Sequence, residues 1–289
     1  YEADMALRGV HMTDTIITRN EAGLFRTCFN LLNWDREVSQ ALLIGWCLLA
    51  PVCGALRWRP HIWVTGPAGS GKSWVFEELV RASLGGSALA VQGETTEAGL
   101  RQILKNSALA VVFDEAEADD PASIARMQSI LALVRTASTN DGGVTAKGSS
   151  NGQSTQYKIR PMVGMARIFP QMDKMSDRSR ISVLSLKAVP RTAESKAKWE
   201  KLKETQKTLF GKESTFVARL QTTVIQHLPG ILKTIDHMCE QCAERFGNQR
   251  LGDQIGTLLA AAWWLRAFEK NQDKETYMHE ATRWLNGFD

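Results

Sequence analysis

The chain has 289 residues, 44% of them apolar and 23% charged, with a formal net charge of +4. Those proportions suffice for a full hydrophobic core and exclude a disordered polymer. The small positive excess permits a nucleic-acid partner without arguing for one. The sequence opens on Tyr1 with no initiator Met or leader pattern, so it reads as a piece of a longer protein.

Residues 1 to 57 read as helical, with apolar faces from Leu31, Leu32, Trp34 and the run 41–56. The stretch VSQALLIGWCLLAPVCGAL is long enough to span a bilayer, but Pro51 and Gly54 interrupt it and RWRPH follows. A buried helix ending near Pro51, with no membrane partner, is the expectation. The five cysteines (Cys28, Cys47, Cys53, Cys239 and Cys242) are odd in number and lie in apolar patterns. They read as reduced thiols of a cytoplasmic protein. Cys239 and Cys242, with His237 beside them, lack a fourth zinc ligand in sequence reach.

From residue 61 the pattern changes. HIWVT (61–65) predicts a strand, SWVFEELVRASL (73–84) a helix stopped by Gly85 and Gly86, and ALAVQ (88–92) a second strand. TEAGLRQILK (96–105) predicts a helix and ALAVVF (108–113) a buried strand. Asp120 and Pro121 start the next helix as N-cap and first-turn proline, and it runs to about Thr136. Residues 138–159 are rich in Gly, Ser, Thr and Asn and predict a hairpin or loop. Residues 160–169 and 181–187 predict two more strands.

Five strands alternating with helices define a three-layer α/β core with a mainly parallel, five-stranded sheet. After Pro190 the strand signal ends and helical periodicity takes over. The expected organisation is a helical segment over 1–57, a core over 58–190, and an all-helical C-terminal domain over 191–289. Most of the nine tryptophans, among them Trp34, Trp46, Trp63, Trp263 and Trp264, sit in core-like runs and read as packing residues.

GPAGSGKS (66–73) satisfies G-x-x-x-x-G-K-[ST], with a predicted strand before it and a helix after it. Gly66, Gly69 and Gly71 allow the backbone to wrap a phosphate, with the helix N-terminus facing the anion. Lys72 would reach the β- and γ-phosphates, and Ser73 would place its hydroxyl on Mg²⁺. The nucleotide-binding stretch is therefore Gly66, Pro67, Ala68, Gly69, Ser70, Gly71, Lys72, Ser73 and Trp74. Trp74 is expected to pack the helix against the sheet. The third strand ends in Asp114 and Glu115, at the edge where ligands bind in open α/β sheets. Asp114 would hold Mg²⁺ through water, and Glu115 would polarise an attacking water. That pair favours ATP hydrolysis over transfer to a small acceptor, the chemistry of small-molecule kinases that share the loop.

In order, GALRWRPHIWVTGPAGSGKS, TEAGLRQIL, VVFDEAE, KGSSNG, DRSRI and DQIGTLLAA run from residue 54 to residue 260. Together they resemble the AAA+ ATPases, and more narrowly the superfamily 3 type helicase domain of phage and mobile-element primase–helicases. The resemblance implies an ATP- and Mg²⁺-dependent motor that assembles as a homo-oligomer, a hexameric ring, and unwinds single-stranded or forked DNA. It implies that Arg178 or Arg180 reaches into the neighbouring subunit's ATP site to neutralise charge on the transferred phosphoryl group. Strand alternation would put both arginines on one side. It also implies a DNA-gripping hairpin over 138–159, with Lys147 and then Lys158 as phosphate contacts and Gly148 and Gly152 as flexible points. The family's polar sensor residue has no clear counterpart in ARIFPQ, where Phe169, Arg167 or Gln171 would stand. Arg219 and Arg250 are candidates for a further nucleotide contact from the helical domain. The alternative is a related ATPase that remodels a protein partner or acts as a nucleotide switch without unwinding DNA.

Overall fold

The computed structural model describes residues 10–92, 94–114, 120–139, 145–148, 154–157, 159–166, 172, 174–272 and 274–286. The short apolar runs form seven strands among these residues: β1 His61–Thr65, β2 Ala88–Gln92, β3 Ala110–Asp114, β4 Thr145–Gly148, β5 Ser154–Tyr157, β6 Val163–Ala166 and β7 Ile181–Ser185. Five of them make one sheet in the order β2-β3-β6-β1-β7. Every pairing in it is parallel, with His61 opposite Ile181, Ile62 opposite Gly164, Val112 opposite Gly164, and Gln92 opposite Asp114. β4 and β5 form a separate antiparallel hairpin, Thr145 opposite Tyr157. All five residues of β1 are buried, as an interior strand of a sheet covered on both faces requires.

The helices are α1 Arg19–Asn30, α2 Val38–Leu49, α3 over residues 72–84, α4 Glu97–Leu104, α5 Pro121–Ala137, the single turn α6 Met175–Arg178, α7 Ala193–Phe210, α8 Phe216–Phe246, α9 Gln249–Lys270 and α10 Lys274–Leu285. Side-chain alternation sends the two faces of the sheet to different partners. Trp63, Val111, Phe113 and Met165 pack with Leu100 and Leu104 of α4 and Ile130 and Val134 of α5. Ile62, Val64, Val112 and Leu184 join the larger core with α2, α3 and α9. The result is a three-layer α/β core continued by C-terminal helices, as the alternation of patterns predicts.

The apolar stretch at 38–55 is a core element and not a membrane contact: α2 is almost wholly buried, and the chain tightens into a 3₁₀ turn over Ala50–Ala55. Two glycines let it sit deep. A Cβ at Gly164 of β6 would press on the Trp46 ring at 3.0 Å, and one at Gly45 would be driven into the main-chain carbonyl of Leu258 in α9. All five cysteines are free and buried, and burial pushes the Cys239 and Cys242 thiols up to about 12 and about 11.

Two local features depart from the pattern-based expectation, and a third follows it against proline's usual effect. Residues 10–18 are not helical. Their main-chain N–H groups are taken by the hydroxyls of α8 instead, Thr13 donating to Thr222 and Ile17 to Thr223, both at 3.0 Å. Thr18 then caps α1 in a reciprocal capping box with Glu21. Second, α3 widens into i→i+5 hydrogen bonding over Val75–Arg81. Third, α8 continues through Pro229 for 31 residues, because packing along α9 holds a helix that proline alone would interrupt.

The Gly45 contact generates a stability test. Gly45→Ala should lower unfolding free energy by about 3 kcal/mol, at the upper end for overpacking, since backbone and not a movable side chain opposes the new methyl. Denaturant unfolding measures it; an unchanged midpoint would show that α2 and α9 are further apart.

Candidate nucleotide-binding site

β1 runs directly into residues 66–71, and α3 begins at Lys72. The loop can turn this tightly because Gly69 and Gly71 hold φ values of 75° and 89°, a left-handed region costly for residues with a Cβ. Gly66 is needed for space: a Cβ there would lie 2.7 Å from the Leu186 carbonyl oxygen and 2.8 Å from Ser70 Oγ. Around Gly69 and Gly71 none of the described residues stands within 4 Å of such a Cβ. Pro67, Ala68 and Gly69 are exposed, whereas Ser70 is buried. Its Oγ has no hydrogen-bond partner among the described residues.

Lys72 Nζ donates to the carbonyls of Gly66 at 2.7 Å and Pro67 at 2.9 Å, which folds the amine back across the loop. Ser73 is exposed on the first turn of α3. A glycine turn, an ammonium held across it by two loop carbonyls, a buried hydroxyl and a helix N-terminus gather donors at one place. That set fits a polyphosphate. A nucleotide-bound Mg²⁺ takes few protein ligands, and the exposed Ser73 hydroxyl on the first turn of α3 is of the right chemistry to be one.

Trp74 is half-buried against the larger core, which includes sheet residues. Its ring meets Trp199 of α7 edge-on, centroids 4.6 Å apart and planes at 61°. Gln206, also on α7, donates to the Glu78 carboxylate at 2.9 Å. α7 adds an aromatic and a polar contact to the start of α3. The C-terminal helices thus touch the phosphate-loop helix directly.

β3 closes at Asp114, two strands from β1 with β6 between, so about 10 Å separate the two strand ends along the sheet. Both ends lie at the same edge because the strands are parallel. Glu115 lies outside the described residues, as do Phe169, Arg167 and Gln171.

The arginines occupy the other edge. The residues before β7 form the helical turn α6, so strand alternation does not govern them and the two side chains diverge. Arg178 is exposed, its Nε donating to the Met172 carbonyl at 3.4 Å. Arg180 is half-buried, its guanidinium 6.0 Å from the Trp58 ring and bonded to the Ser176 carbonyl at 2.9 Å. Burial, with Arg250 and Arg135 nearby, holds it below its ordinary pKa, and Asp177 opposes that shift. The Arg180 carbonyl accepts from His61 N, at the start of β1. From that level to Gly66 β1 spans about 17 Å, well beyond the reach of an arginine side chain. Arg178 and Arg180 therefore do not meet the phosphate loop of their own chain. Arg219 is engaged elsewhere, bonded to Glu21 of α1 at 2.8 Å, and Arg250 lies by Arg180 at the far edge.

The hairpin is rooted at that same edge. Thr139 bridges to Trp58, and Arg59 N donates to the Ser138 carbonyl at 2.8 Å. Lys147 is in β4, opposite Thr155; Lys158 and Gly152 lie outside the described residues. Beneath the root is a buried polar knot that pattern reading does not register. Arg59 Nε donates to the Ala137 carbonyl at 2.6 Å, and His61 joins the Ser138 hydroxyl at 3.1 Å while accepting from Val163 N at 3.0 Å. Gln254 of α9 donates to the His61 carbonyl at 2.8 Å and the Ser182 hydroxyl at 3.0 Å. Burial pushes His61 down to about 3, so it stays neutral. The sequence signal is the polar pair Arg59 and His61 at the start of an otherwise apolar strand.

No family model matches the chain, and no curated protein matches it. Solved structures do. The chain aligns with a structure described as the active helicase SCCmec type IV Cch at a TM-score of 0.50 and 10% identity, over 88% of this chain and 47% of that one. It also aligns with two structures of the NrS-1 C-terminal region, at TM-scores of 0.36 and 0.37 and 16% and 14% identity. These cover 82% and 94% of this chain and 58% and 71% of those. The chain shares its fold with the Cch helicase and spans about half of that protein's length.

The conformation of Gly71 can be tested alone, because its surroundings are open. Gly71→Ala adds no clash and imposes a left-handed Ala, which costs about 1–2 kcal/mol. ATP affinity measured by calorimetry should fall about tenfold. Unchanged affinity would mean that the phosphate does not require this turn.

Proposed function

We propose that the chain is the ATPase and helicase motor of a replication protein from a phage or mobile element, of the AAA+ superfamily 3 type. It hydrolyses ATP with Mg²⁺ at the interfaces of a homo-oligomeric ring, a hexamer, to move along single-stranded or forked DNA. The observation that carries the reading is the sheet order β2-β3-β6-β1-β7. It inserts β6 between the strand that ends in the phosphate loop and the strand that ends in Asp114. The gap leaves room for a water between a γ-phosphate and the Glu115 carboxylate.

In this reading Lys72 and the loop N–H groups bind and orient the phosphates, and Ser73 and Asp114 hold the metal. Mg²⁺ supplies charge neutralisation on the phosphate oxygens when bound. Glu115 takes the proton from the attacking water. Arg178, exposed at the far edge, is the arginine offered to the next subunit. Arg180 is turned inward on Trp58 and braces the turn. Lys147 on the hairpin contacts DNA phosphate, with Lys158 beyond it. The shared fold with a helicase supports the class of activity, and the hairpin favours DNA over a protein substrate.

Sizing the protein with ATP and forked DNA, and assaying unwinding in the same sample, tests the proposal. A ring that unwinds the fork is expected; a monomer that hydrolyses ATP without unwinding would favour the switch reading. Lys147→Ala should keep basal ATPase and lose its stimulation by DNA, with a shallower salt dependence of binding. Glu115→Gln should bind ATP normally while turnover falls about 100-fold or more.

A further inference from the structure

The exposed Arg178 follows immediately on one of the few fully buried charges in the chain. The Asp177 side chain is wholly inaccessible, and its Oδ1 lies 2.5 Å from Nη1 of Arg135 on α5. Its Oδ2 has no hydrogen-bond partner among the described residues, and neither has the buried Nε of Arg180. Burying a carboxylate is costly unless it is paired, so this side chain is held in place by the ion pair and not by solvent. Its main chain organises the turn as well: Asp177 N donates to the Lys174 carbonyl at 3.0 Å, and the Asp177 carbonyl accepts from Arg180 N at 2.9 Å. Residues 174–180 therefore hang from one side-chain hook.

The other end of the hook matters. α5 has 17 residues and spans about 25 Å. It is capped by Asp120, whose carboxylate accepts from Ala122 N at 2.9 Å and Ser123 N at 3.1 Å, six positions after the catalytic Asp114 strand end. Its last residues, Ala137 and Ser138, meet Arg59 and His61 at the hairpin root. One helix, the element after β3 in the chain, thus meets both the arginine turn and the base of the hairpin.

We propose that Asp177 is a positioning residue for Arg178, acting through Arg135, and that the ion pair ties the arginine a subunit offers its neighbour to the helix following that subunit's own acidic strand. The inference rests on the reading of Arg178 as an arginine acting in the neighbour's site. A planar guanidinium neutralises developing charge only at the right distance and angle. A shift of about 1 Å in the turn is therefore enough to cost roughly 100-fold in turnover.

The test is a double-mutant cycle on ATP turnover with the full chain, scored separately for kcat and KM. Asp177→Asn should lower kcat about 100-fold, with KM for ATP and nucleotide binding unchanged. In an Arg178→Ala background the same change should cost less than about twofold, because the group it positions is gone. A merely structural role would lower turnover equally in both backgrounds, and that result overturns the proposal. Arg135→Lys keeps a cation for Asp177 but changes the geometry of the Nη1–Oδ1 contact. It should reproduce the kcat loss in milder form, and it serves as the readout if Asp177→Asn does not fold. If Arg178→Ala alone retains full turnover, the arginine reading falls and this proposal with it. If Arg178→Ala is inactive while Asp177→Asn and Arg135→Lys keep full turnover, only the positioning role is lost.

Discussion

A parallel sheet sends every strand's C-terminus to one edge, and the rest of this molecule follows from that constraint. β1 delivers the glycine loop and β3 the acidic end to one side, with β6 setting the gap between them. The crossovers return the chain to the opposite edge, where the hairpin root and the arginine turn are placed. The glycine loop and Arg178 and Arg180 lie at opposite edges, separated by the length of β1. A site that needs both must be completed by a second copy.

The far edge is held by buried polar contacts and not by the apolar core. Arg59 and His61 seize the end of α5, Gln254 brings α9 onto β1 and β7, and Asp177 hooks the arginine turn to Arg135. Such contacts are directional and lose much when one partner is removed, whereas apolar contacts slide at little cost. They give the edge a defined geometry, which an arginine acting across an interface requires. At the near edge the Trp74–Trp199 contact lets the C-terminal helices sense the start of α3.

The fold was legible because its signals are local. HIWVT, ALAVQ and ALAVVF are unbroken apolar runs bounded by turn residues, and they emerge as β1, β2 and β3. Asp120-Pro121 caps α5 as its chemistry demands. The turn between β1 and α3 was legible from its glycine spacing and its strand and helix flanks, since Gly69 and Gly71 take left-handed values. What could not be read depends on distant partners. Residues 10–18 gave no sign that α8 hydroxyls would occupy their N–H groups. Nothing near Trp74 pointed to its added contact with Trp199. DRSR carries no periodicity, so its helical turn, and the divergence of Arg178 from Arg180, follows only from the burial of Asp177 against Arg135.

The central claim is that each ATP site is completed by an arginine from the adjacent copy. Mixing two inactive forms measures it most directly: one with Arg178 and Arg180 both changed to Ala, the other Lys72→Ala. The first keeps a sound phosphate loop, the second sound arginines, so mixed assemblies should regain ATP hydrolysis while each form alone stays inactive. If no mixing ratio restores hydrolysis although the two forms co-assemble, the arginines do not act across the interface and the account is wrong.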